Sequence, residues 1–134
     1  MAEQKRILIV EDEPDEVAYL SALFADHGLG VISAGNGQEG FEKAKSQHPD
    51  LITLDISMPE ESGVRMFRDL QNDPATAGIP VIIVTGISHE FKRFIETRRQ
   101  VYPPVAYFDK PPDRAQLLAK IDEILSSASA APAR

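Results

Sequence analysis

The stretch Ile7-Leu8-Ile9-Val10-Glu11-Asp12-Glu13-Pro14 is four apolar residues, then three acids, then a proline. The apolar run is short and rich in Ile and Val, so it reads as a strand covered on both faces. Pro14 fits the first turn of a helix, where a missing N–H is no loss. A buried strand that runs through acids into a helix is a building unit of α/β folds. The rest of the chain repeats the unit. Further apolar runs fall at Gly30 to Ala34, Leu51 to Leu54, Val81 to Val84 and Val105 to Phe108, those at 51 and 81 again nearly continuous.

Between the runs lie helical patterns. In the first, Val17, Leu20, Ala22 or Leu23, and Phe24 fall on one side and Gly28 supplies a stop. A second helix is expected from about 38 to 47, ahead of Pro49, and a third over 64–70, stopping near Asp73-Pro74. A fourth, over 88–100, brings Phe91, Phe94 and Ile95 together. The fifth starts after Asp113, a good N-cap, and carries Leu117, Leu118, Ile121, Ile124 and Leu125. Such alternation predicts one α/β domain, a parallel sheet with helices on both faces. The small residues from Ser126 to Arg134 are expected to fray.

The 134 residues suit one domain with a real core, and 43% hydrophobic content fits a soluble globular protein. No apolar run approaches the roughly 20 residues of a membrane span. The opening Met-Ala-Glu-Gln-Lys-Arg lacks the apolar stretch of a secretory leader. Absence of cysteine excludes disulfides and thiolate metal sites and suits a cytoplasmic protein. A net charge of −7 argues against non-specific nucleic-acid binding and favours multivalent cations wherever carboxylates cluster.

In open α/β sheets ligands sit beyond the carboxyl ends of the strands. The residues there are Glu11, Asp12 and Glu13 after the first strand, Asp55 after the third, Thr85 after the fourth, and Asp109 and Lys110 after the fifth. The second strand ends in Ala34-Gly35 and adds nothing titratable. Carboxylates packed on one rim repel unless a cation sits among them, and Mg²⁺, a hard ion that prefers oxygen, fits. Acids, a cation and a lysine suit phosphoryl transfer, in which a carboxylate attacks in line while positive charge stabilises the phosphoryl oxygens. Asp55, alone at its strand end, is the candidate nucleophile, and Glu11 and Asp12 the metal's holders. Glu13, Asp15 and Glu16 are expected only to cap the helix start.

Three features are read as incidental. Gly35-Asn-Gly-Gln-Glu-Gly40 matches a dinucleotide G-x-G-x-x-G, yet too little chain remains for that fold, so its glycines are expected to shape a loop and a close helix approach. His27, His48 and His89 are expected at the surface, none as a phosphocarrier. Lys92, Arg93, Arg98 and Arg99 give the fourth helix a basic face, a solvated surface in preference to a docking patch for an acidic partner.

The segments Ile7 to Pro14, Leu54-Asp-Ile-Ser-Met-Pro-Glu-Glu-Ser-Gly63, Pro80-Val-Ile-Ile-Val-Thr-Gly86 and Tyr107-Phe-Asp-Lys-Pro111 together resemble the receiver domains of two-component response regulators. The resemblance covers about residues 5–126, leaving 127–134 as a flexible tail. It implies a flavodoxin-like three-layer sandwich with strand order 2-1-3-4-5 and five helices. It implies that Asp55 is the phosphoacceptor and Asp12 a direct Mg²⁺ ligand, that Glu11 assists the metal through water, and that Ser57 lends a backbone carbonyl. Thr85 would bond the phosphoryl group, Lys110 pair with it, and Tyr107 act as the switch aromatic. The implied function is a phosphorylation-activated switch, not a turnover enzyme. It takes phosphoryl from a sensor histidine kinase or phosphotransfer protein and signals to a downstream protein or through a phosphorylation-dependent homodimer, without direct contact with nucleic acid or membrane.

Two departures stand out. Glu11 replaces the commoner aspartate, and 25 positions separate Thr85 from Lys110, a longer interval that includes Val101-Tyr-Pro-Pro104 and is expected to lengthen the fourth helix or its exit loop. No output domain follows Leu125, so a transcription factor is not expected. The competing readings are a receiver fragment of a longer regulator or hybrid kinase, a Mg²⁺-dependent aspartyl phosphatase, for which the chain has no cap insertion, and a degenerate receiver that only binds partners.

Overall fold

In the computed structural model, which describes residues 4–85, 105–110 and 112–130, β1 (Arg6–Val10) is flanked in parallel by β2 (Gly30–Ala34) and β3 (Leu51–Leu54). β4 (Val81–Thr85) and β5 (Ala106–Asp109) continue the sheet, giving the expected order 2-1-3-4-5. The described helices are α1 (Pro14–Asp26), α2 (Gly37–Gln47), α3 (Ser62–Asn72), entered through a 3₁₀ turn (Pro59–Glu61), and α4 (Arg114–Ala130). The helix expected over 88–100, with His89, its four basic residues and the Val101–Pro104 segment, lies outside the described residues.

Successive strand residues point to opposite faces, and each face has its own core. Leu8, Val10, Ile52, Leu54 and Ile83 meet Ala44 of α2 and Met66, Phe67 and Leu70 of α3. Ile7, Ile9, Leu51, Ile82 and Val84 meet Leu20 and Phe24 of α1 and Leu117 and Ile121 of α4. This two-sided burial is why β1 is apolar from Ile7 to Val10. On the second face the exposed His27 at the end of α1 approaches Asp122 of α4, Nε2 to Oδ1, at 2.9 Å.

Asp113 caps its helix as expected, and Asn36 caps α2, a cap not singled out in the sequence. Asp113 Oδ1 accepts from Gln116 N at 2.9 Å, and Asn36 Oδ1 accepts from Glu39 N at 2.8 Å. The dinucleotide-like glycines serve packing: a Cβ on Gly40 would lie 2.8 Å from Met66 Sδ and 2.9 Å from Val10 Cγ2, and one on Gly37 would run into the Ser62 carbonyl.

Several boundaries differ from expectation. α3 spans 62–72 rather than 64–70, starting where the 3₁₀ turn hands over. β4 runs one residue further and β5 is shifted by one, to Ala106–Asp109, because Thr85 and Asp109 pair with each other. α4 reaches Ala130, into the stretch expected to fray, since Ser126 to Ala130 contains only Ser and Ala and no helix breaker. Among the described residues no helix is long and apolar enough to cross a membrane.

Candidate functional site

The adjacency of β1 and β3 creates the site. Val10 is paired with Leu54, so Glu11 and Asp55 leave the sheet at one edge. Both remain tied to the ladder, Asp55 N donating to Val10 O and Glu11 N to Ala34 O, each at 3.0 Å. Asp55 is 2% exposed and Glu11 3%, while Asp12 faces solvent. One carboxylate oxygen from each of the three lies within 4.8 Å of the others. The close approach of α3 depends on Gly63, where a Cβ would overlap the Asp55 carbonyl and stand 2.7 Å from Ile56 Cα.

Lys110, just past β5, reaches across this group. Its Nζ donates to Asp55 Oδ2 at 3.0 Å, stands 2.7 Å from Glu11 Oε1 and lies 3.9 Å from Glu13 Oε1. Asp55 Oδ1 accepts from Ser57 N at 2.8 Å and from Ser57 Oγ at 2.6 Å. Glu11 Oε2 accepts from Glu13 N at 3.1 Å.

These contacts set the charges. Burial pushes the Glu11 carboxyl up to about 7, against the opposing pull of the Lys110 bond and with the Asp55 charge adding to the rise. Burial would lift Asp55 too, but the Ser57 hydroxyl and N–H, with Lys110, outweigh it and hold Asp55 below the ordinary carboxylate value. Lys110 loses from burial and gains more from Glu11 and Asp55, which hold it above the usual lysine value. At neutral pH the site presents an ionised Asp55 beside a firmly charged ammonium.

Of the residues singled out in the sequence, Glu11, Asp12, Asp55, Ser57 and Lys110 converge. Thr85 is the last residue of β4, next to β3, and is placed by its backbone, opposite Asp109. Tyr107 sits on β5 opposite Ile83, half-buried against the core on the α2 and α3 side. Glu13 corrects an expectation: it occupies the N-cap position of α1, but its side chain makes no capping bond and turns towards Lys110. Two features went unread in the sequence. The Ser57 hydroxyl bonds Asp55 directly, for which a Ser two residues past an Asp is a weak turn signal. Thr53 is 2% exposed and its hydroxyl has no partner among the described residues; its only signal is a polar residue inside an otherwise buried strand.

Three converging carboxylates offer hard oxygen donors and no sulfur or imidazole, a set that fits a hard divalent cation. Acids and a lysine gathered at the carboxyl edge of a 2-1-3-4-5 sheet define a phosphoryl-responsive α/β switch. The family model for the response regulator receiver domain matches residues 7–122. Protein PilH of Pseudomonas aeruginosa is 38% identical over 121 residues, which cover 90% of this chain and 98% of PilH. Protein Rrf1 of Nitratidesulfovibrio vulgaris is 32% identical over 91% of this chain and 83% of its own length. The crystal structure of the receiver domain of a signal transduction histidine kinase from Syntrophus aciditrophicus superposes with a TM-score of 0.82 at 28% identity, covering 97% of this chain and 96% of that one. The chain belongs to the response regulator receiver domain family and is a switch of two-component signalling.

Proposed function

We propose that Asp55 is the residue that accepts the phosphoryl group, from a sensor histidine kinase or a histidine phosphotransfer protein, with Mg²⁺ held by Glu11, Asp12, Asp55 and the backbone carbonyl of Ser57. The observation that carries this is the convergence of Lys110 Nζ, at 3.0 Å from Asp55 Oδ2, with three carboxylates around one ionised aspartate. The cation, when bound, supplies positive charge to the phosphoryl oxygens and relieves repulsion among the acids. Asp55 attacks phosphorus as the carboxylate, so no base has to remove a proton from it. Lys110 then pairs with the new phosphoryl charge.

A phosphoryl group adds nearly two negative charges and strong acceptors. Thr85, at the neighbouring strand end, is drawn towards it, and Tyr107, seated over the adjacent core, follows the space that the threonine vacates. The altered face is read by a downstream protein or by a second copy of the chain. The chain is a cytoplasmic switch whose chemistry is limited to its own phosphorylation and the hydrolysis of its own aspartyl phosphate.

Incubation with acetyl phosphate and Mg²⁺, followed by intact-mass measurement, is expected to give a single phosphoryl adduct. The adduct is expected to vanish in Asp55→Ala and under chelation. Labelling that persists in Asp55→Ala moves the acceptor elsewhere, and enzyme-like turnover of a generic phosphate ester favours a phosphatase instead.

A further inference from the structure

An ionised carboxylate offers about four acceptor positions, two on each oxygen. In Asp55 three are taken: Oδ1 by Ser57 N at 2.8 Å and Ser57 Oγ at 2.6 Å, and Oδ2 by Lys110 Nζ at 3.0 Å. Among the described residues one position on Oδ2 is open. The function proposed above, on which this inference rests, asks Asp55 for two: one for the cation and one for phosphorus. The open position lies beside the Lys110 ammonium, which repels a cation, so the ion has to claim one on Oδ1 and a donor there has to yield.

The three donors are not equally able to do so. Ser57 N is part of the backbone turn that follows β3, and moving it moves the loop. Lys110 is anchored a second time, 2.7 Å from Glu11 Oε1, and carries the charge that an incoming phosphoryl group calls for. Ser57 Oγ turns away by rotation about one side-chain bond. Ser57 is exposed, so the released hydroxyl is taken up by water.

We propose that the Ser57 hydroxyl is a displaceable cap on Asp55, occupying in the cation-free protein the acceptor position that a divalent ion has to claim. Ser57 is thus a positioning residue that sets cation affinity from outside the set of carboxylate ligands. It competes with the ion for Asp55, whereas Glu11 and Asp12 attract it.

The test is Mg²⁺ titration by calorimetry on the whole chain, without phosphodonor. Ser57→Ala is expected to bind Mg²⁺ about three- to tenfold more tightly than wild type, the worth of one bond to a charged acceptor offset by rehydration. Ser57→Thr keeps the hydroxyl and is expected to stay within about twofold of wild type. Ser57→Val, equal in shape to Thr but lacking the hydroxyl, is expected to tighten as Ala does, which separates the bond from side-chain bulk. Unchanged or weaker Mg²⁺ binding in both Ala and Val variants overturns the cap while leaving the cation site intact. Absence of saturable Mg²⁺ binding in wild type overturns the cation site and the cap with it.

Discussion

Thr53 and Asp55 lie two residues apart, and each is 2% exposed. Asp55 is supplied by three donors. Thr53 Oγ1 has none among the described residues, and the space beside it, lined by Ile9, Leu20 and Val84, is too narrow for a water molecule. A buried hydroxyl without a partner forfeits its solvation and gains nothing in return. Replacing it with a methyl of the same shape keeps the packing and removes that penalty. Thr53→Val is therefore expected to stabilise the protein by about 1 kcal/mol, read as a rise in the urea midpoint at constant slope. A fall in the midpoint would mean that the hydroxyl is hydrogen-bonded in solution.

At the scale of elements, the site depends on how closely α3 can start against the end of β3. Gly63, the second residue of α3, has the Asp55 carbonyl and Ile56 Cα where a side chain would stand. Backbone cannot step aside as the tip of a flexible side chain can, so Gly63→Ala has to push α3 away from the loop that carries Ser57. A loss of about 1–3 kcal/mol is expected, in the range of overpacked cores, together with slower phosphorylation. Gly78→Ala is the control: nothing lies within 4 Å of its added methyl, and a change within about 0.5 kcal/mol is expected. Equal effects of the two substitutions in chemical denaturation would refute the steric account.

Elements and site were legible in the sequence to different depths. Strand runs and helix faces are periodic patterns, and Glu11, Asp12, Asp55 and Lys110 are located by the rule that ligands gather at strand ends. The extent of α4 was misread because small polar residues look like a tail, although a run of Ser and Ala holds no helix breaker. The Ser57 hydroxyl bond and the turn of Glu13 towards Lys110 depend on side-chain torsions in two separate loops, which no periodicity records. The empty environment of Thr53 is a property of three elements packed together and has no local signature at all.

For the whole molecule, the acid cluster ties stability to pH and to cations. Glu11 titrates near 4.5 when the chain is unfolded and at about 7 when it is folded. Between those values the unfolded chain gives up the proton and the folded one keeps it, so the native state binds more protons and stability falls as pH rises. The slope approaches about 1.4 kcal/mol per pH unit within that window and flattens above it. Asp55, held below its ordinary value, stabilises the fold only above the unfolded carboxylate range and loses this as pH drops through a more acidic window. Lys110, held above its ordinary value, stabilises at all lower pH and loses this only in strong alkali. Of the three, Glu11 alone therefore shapes the interval from 4.5 to about 7. A divalent cation favours the ionised form of the same carboxylate, so its stabilisation should grow over that interval, reaching about 2.7 kcal/mol at a hundredfold excess over Kd. Thermal melts at pH 5.5 and pH 8, with and without Mg²⁺, are expected to show a small Mg²⁺-dependent rise in Tm at the lower pH and a large one at the higher. Glu11→Gln should flatten the cation-free trend while leaving the acid side unchanged. An equal Mg²⁺ effect at both pH values would show that the ion does not depend on the charge of Glu11.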